Sequence, residues 1–64
     1  MINLKLKGLL IGTFGSQLDA AAKLGIHSTE LSRLVRNRRA PTERDLAALK
    51  AQFGSRAVKE IFED

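Results

Sequence analysis

An all-α fold of five short helices is predicted by three features of this 64-residue sequence. Apolar residues recur at three- and four-residue spacing along most of the chain. Residues that cap helix starts stand ahead of those stripes, and Gly, Asn or Pro stands where they end.

Leu6, Leu9, Leu10 and Phe14 place a first helix from about Leu4 to Phe14. Gly8 and Gly12 each weaken it by roughly 1 kcal/mol relative to Ala, and the alternation of Ile2, Leu4 and Leu6 leaves a strand over residues 2–7 as the alternative. Ser16-Gln17-Leu18-Asp19 has the outline of a capping box, so a second helix begins there, carries Ala20, Ala21 and Leu24, and stops at Gly25. Either His27 or Ser28 caps a third helix with Leu31, Leu34 and Val35 inward and Glu30 near its positive end. Asn37 suits the left-handed position past that helix, and Pro41 prevents continuation. Thr42-Glu43-Arg44-Asp45 repeats the capping outline ahead of Leu46, Leu49 and Phe53, which gives a fourth helix from Glu43 to about Phe53. Gly54 ends it. Ser55 is the expected cap of a last helix whose stripe is Ala57, Val58, Ile61 and Phe62.

A chain of this length forms one domain, residues 1–64, burying roughly 60% of its unfolded surface. No Cys is present and His27 is the single His, so neither disulfides nor a metal site supplement the core, and no cofactor is expected. No nucleophile, base and orienting third group can be assembled from one His and scattered hydroxyls, which argues against an enzyme. The start of the chain loosely imitates a secretion signal, but its apolar stretch is short and no run approaches the ~20 apolar residues of a membrane span. A soluble intracellular protein is expected.

The net charge is +4, which favours polyanionic partners. Arg33, Arg36, Arg38, Arg39 and Arg44 crowd one stretch opposed by Glu43, whereas Glu60, Glu63 and Asp64 gather at the far end. Lys5, Lys7 and Lys23 are scattered and read as ordinary solvated lysines. The basic residues sit on a turn and a short helix instead of opposite a long apolar stripe, which disfavours a membrane-surface peptide.

Ala20 and Ala21 face Leu31 and Leu34 across the turn at Gly25, and this small-against-large pairing suits two short helices packed closely with the second pushed outward as a probe. The segment Gln17 to Asn37 resembles the helix-turn-helix of the lambdoid phage repressor and Cro family. Gln17 at the first place, Ala21 at the fifth and Gly25 at the ninth fall in register, as do the apolar residues Ala20, Leu24, Ile26, Leu31 and Leu34. Asn37 departs from the family's usual Gly, a conformationally tolerable change. Arg38-Arg39-Ala40-Pro41 and the two helices beyond also resemble that family's five-helix body.

The resemblance implies a compact five-helix, lambda repressor-like domain that binds double-stranded DNA as a small transcriptional regulator, with the third helix in the major groove. Ser28, Thr29, Ser32 and Arg33 would then contact bases, Arg33 most sharply, because a guanidinium pairs bidentately with guanine. Gln17, Arg36, Asn37, Arg38 and Arg39 would contact phosphates. A homodimer on a pseudo-palindromic operator is implied, acting in the cytoplasm at the nucleoid of a prokaryotic or phage-infected cell. Val58, Ile61 and Phe62 are the expected dimer surface, with Ile61 at the stripe's edge where a twofold partner could bury it. The alternative is an antitoxin-like or adaptor module that uses the helix-turn-helix as a scaffold and covers the same three residues with a protein partner.

Overall fold

Side-chain bonds to nearby backbone N–H groups set where four of the five helices begin, and most of the starts fall where the sequence placed them. A computed structural model describes residues 1–62; the acidic Glu63 and Asp64 lie outside the described residues. The chain folds as α1 (Leu4–Phe14), α2 (Gln17–Leu24), α3 (Ser28–Val35), α4 (Glu43–Phe53) and α5 (Ser55–Phe62), with no strand among the described residues. Ser16 Oγ accepts from the Asp19 N–H at 3.0 Å, although the return bond of a full capping box is not made. His27, not Ser28, caps α3: its Nδ1 accepts from the Thr29 N–H at 3.2 Å, which requires the tautomer protonated on Nε2. Thr42 and Asp45 form the complete reciprocal box on α4.

Residues 2–7 are helical from Leu4 onward, not a strand, and Asn3 is the reason. Its Oδ1 accepts from the Leu6 N–H at 3.1 Å and starts α1. Its Nδ2 donates to the Ile61 carbonyl at 3.1 Å, and its backbone N–H donates to the Val35 carbonyl at 2.7 Å. Both carbonyls belong to the last turns of helices, where no intrahelical donor remains. One residue thus satisfies orphan groups on α1, α3 and α5 together.

The end of α3 is a Schellman turn. The Arg38 N–H reaches the Arg33 carbonyl at 2.8 Å and the Asn37 N–H reaches the Leu34 carbonyl at 3.1 Å, with Asn37 in the left-handed region at φ 57°. At the other corner Ser55 is the first residue of α5 instead of its cap. The Gly54 carbonyl accepts from the Val58 N–H at 3.2 Å, and Gly54 at φ 90° both ends α4 and introduces α5.

Ten buried apolar residues form the core: Leu6 and Leu10 of α1, Ala20 and Ala21 of α2, Leu31, Leu34 and Val35 of α3, Leu49 of α4, and Val58 and Ile61 of α5. Helix α2 packs against α1, α3 and α4, and its buried alanines are what let three neighbours approach so short a helix. Phe14 and Phe53 meet edge-to-face with centroids 6.1 Å apart, joining the C-terminal ends of α1 and α4. The Cα radius of gyration, 10.3 Å, is close to the roughly 11 Å expected of a well-packed chain of this length.

The burial of Ile61 corrects the sequence expectation. It is 6% exposed and belongs to the core with Val58, because the turn at Gly54 folds α5 back along α4 and under Asn3. Of the three residues expected at a dimer surface, Phe62 alone is only partly buried.

Candidate nucleic-acid interface

With Leu31, Leu34 and Val35 buried, the helical period turns Thr29, Ser32, Arg33 and Arg36 to the opposite side of α3. Ser28 begins the helix beside them. The Schellman turn reverses the chain just after α3 and leaves Arg38 exposed next to Arg36. Ser28, Thr29, Ser32, Arg33, Arg36 and Arg38 consequently line one shallow polar depression. All four residues expected to meet bases and two of those expected to meet phosphates are brought together there.

This surface holds three guanidinium groups and short hydroxyls that allow close approach. The nearest acid is Glu30, whose Oε1 accepts from Arg33 Nη1 at 3.3 Å. Arg33 keeps 59% of its side chain exposed and remains free to reach outward. Gln17 opens α2 directly after the Ser16 cap, half-buried, where the helix's free N–H groups give a partial positive charge.

Asn37 and Arg39, also expected to meet phosphates, lie outside that depression and make contacts within the chain. The Asn37 side chain donates to the Met1 carbonyl at 2.6 Å, strapping the chain start against the end of α3. Arg39 turns inward. Its Nη1 lies 2.6 Å from Asp45 Oδ2 and its Nε 2.9 Å from Glu30 Oε2, and Nε also approaches the Glu30 carbonyl at 3.3 Å. The Arg39 side chain is 20% exposed. Arg39 lines a second depression, with Arg44 and Asp45, on the side of α3 towards the N-terminus of α4.

Asp45 is the one buried charged residue among the described residues, at 5% exposure. Burial would push its carboxyl upward, but the Arg39 guanidinium and the Thr42 N–H and hydroxyl outweigh that and hold it below the ordinary carboxylate range. The hydrogen bond to Asp45 in turn raises the Arg39 guanidinium against its own desolvation. The sequence showed Asp45 only as a capping residue; a basic residue six places earlier gave no sign that it would fold back onto the same carboxylate.

Among the described residues no group of three or more His, Asp or Glu side chains is arranged to hold a metal ion, and no helix is long and apolar enough to cross a membrane. No curated protein and no solved structure matches the chain. A helix-turn-helix family model does match, over residues 15–58, covering α2, α3, α4 and the first turn of α5. With an outward-facing second helix and an arginine-bearing turn in the matched segment, the chain belongs to the Cro/C1-type, lambda repressor-like helix-turn-helix family of DNA-binding regulators.

Proposed function

We propose that the protein binds double-stranded DNA sequence-specifically, as a small Cro/repressor-like transcriptional regulator with α3 in the major groove. The observation that carries this is the single polar face made by Ser28, Thr29, Ser32, Arg33, Arg36 and Arg38. Arg33 is the base reader, pairing with guanine O6 and N7, while Ser28, Thr29 and Ser32 contact neighbouring base edges at short range. Arg36 and Arg38, with Gln17 at the N-terminus of α2, contact phosphates and fix the register. Asn37 and Arg39 are left out of that set because Met1, Glu30 and Asp45 already engage them.

Binding as a homodimer on a pseudo-palindromic operator is part of the proposal, with recognition helices about 34–36 Å apart. The twofold contact is assigned to Phe62 and the apolar groove it shares with Leu46 and Val58 between α4 and α5. Lys50, Arg56 and Lys59 rim that groove, with Arg56 Nε 4.0 Å from Glu60 Oε1 on the same helix. The protein reading of the groove, an adaptor or antitoxin-like partner, can coexist with DNA binding and would be favoured over it by absent duplex binding at low salt together with a tight protein partner in pull-down.

Selection of binding sites from randomised duplexes tests the proposal directly. The purified protein should select a pseudo-palindromic motif, and Arg33→Ala should erase the preference at one base pair per half-site while non-specific binding persists. A motif unchanged by that substitution removes Arg33 as a reader. Phe62→Glu should leave the half-site preference intact and abolish cooperative binding to two half-sites; undiminished cooperativity rejects this dimer surface.

A further inference from the structure

Glu30 is an acid on a helix proposed to face a polyanion, and the reason for its presence lies in what holds it. Its carboxylate is shared between two arginines. Oε2 lies 2.9 Å from Arg39 Nε, whose N–H donates to the Glu30 carbonyl, and Oε1 accepts from Arg33 Nη1 at 3.3 Å. Arg39 is itself fixed at its other end by the 2.6 Å bond to Asp45, which is buried and locked into the α4 cap by the Thr42 N–H at 2.9 Å. The chain of contacts therefore runs from the capped N-terminus of α4, through Asp45, Arg39 and Glu30, to the side chain of Arg33.

Resting on the assignment of Arg33 as the base reader, we propose that Glu30 is a positioning residue that sets the sequence specificity of Arg33 without touching DNA. An exposed arginine samples many rotamers, and a base-reading one loses that freedom on binding. A carboxylate anchored on its far oxygen restricts the sampling beforehand. The geometry leaves the reader able to read: Nη1 is the atom that meets Glu30, so the edge formed by Nε and Nη2 stays open for a bidentate pair with guanine. The arrangement also accounts for Arg39 facing inward, since a phosphate-bound Arg39 would release Glu30 and with it Arg33.

A structural role for Glu30 as a favourable charge near the positive end of α3 would move stability but not base preference. Site selection and competition binding with the full chain separate the two, using Glu30→Gln, Glu30→Asp, Arg33→Ala and the Glu30→Gln/Arg33→Ala double variant, each checked for folding by circular dichroism. Glu30→Gln should weaken discrimination on the order of two- to fivefold at the same base pair that Arg33→Ala erases, the size expected for losing one exposed ion pair. Binding to non-specific duplex should hold or strengthen as a negative charge leaves the face. Glu30→Asp should recover part of the preference, and the double variant should discriminate no worse than Arg33→Ala. If Arg33→Ala itself leaves every preference intact, the base-reader assignment fails and this proposal falls with it. If Arg33→Ala erases a preference that Glu30→Gln leaves at full strength, the positioning role alone is overturned. A changed preference at a different base pair would make Glu30 a direct reader and likewise overturns it.

Discussion

Replacing Arg39 with Met separates a structural arginine from a DNA-binding one, because Met keeps an aliphatic stem of similar reach and removes only the charged head. In the parent, that head neutralises Asp45, 5% exposed, through a 2.6 Å contact. Without it the carboxylate keeps the Thr42 N–H but loses its counter-charge in a buried place. Breaking a buried pair by removing one partner costs about 3–5 kcal/mol, and since Arg39 retains 20% exposure, so that water reaches the gap, about 2–3 kcal/mol is expected. For a chain with roughly 3–10 kcal/mol in total, that is a large share, and the midpoint of thermal unfolding should fall by about 10–20 °C. The pH dependence has a definite sign. Asp45 is held below the ordinary carboxylate range, so the pair's contribution is complete above the unfolded value near pH ~4 and is lost as the pH falls through the lowered folded value. Melting followed by circular dichroism should show the gap between parent and variant at its widest near neutrality and closing below about pH 4. Measured where the variant is folded, the slope of log K against log salt for DNA should not change. A variant as stable as the parent, with a slope flatter by ~0.9, would make Arg39 a phosphate contact and refute the reasoning.

The neighbouring Arg38→Ala should behave in the opposite way, leaving thermal stability within ±0.5 kcal/mol and flattening the salt slope by ~0.9 for all duplex sequences; an unchanged slope takes Arg38 out of the interface. Ala21→Leu, at a buried position on α2 where three helices converge, should destabilise by ~1–3 kcal/mol through overpacking, and urea unfolding equal to the parent's would mean that α2 and α3 do not cross there. Ile61→Glu should unfold the monomer instead of merely dissociating a dimer, so its far-ultraviolet circular dichroism should lose helix; a folded variant would contradict the packing of α5. Gly8→Ala and Gly12→Ala, whose added Cβ atoms meet nothing within 4 Å, should each raise stability by roughly 0.5–1 kcal/mol; a loss in the melting temperature would show that the outer face of α1 is not open.

Five helices, most of their ends, and the register of the helix-turn-helix are legible in the sequence alone. Those features rest on contacts within a few residues: Ser16 to Asp19, Thr42 to Asp45, and Asn37 closing α3 in the left-handed conformation. The 3.6-residue period likewise decided that Thr29, Ser32, Arg33 and Arg36 face away from Leu31 and Leu34, so the candidate interface was legible once α3 was placed. Which members of the arginine cluster lie exposed on that face depends on the tertiary fold. Arg38 and Arg39 are adjacent and identical in type, yet one is exposed and the other turns in to Asp45 and Glu30, because only the turn between α3 and α4 brings those two acids to one place. The same holds for Asn3, whose amide reaches Ile61 across nearly the whole chain, and for Ile61, which looked peripheral near the end of the sequence and is buried. Local signals are written in spacing; the fate of a long polar side chain depends on partners that spacing does not reveal, and of an end residue on whether the chain folds back over it.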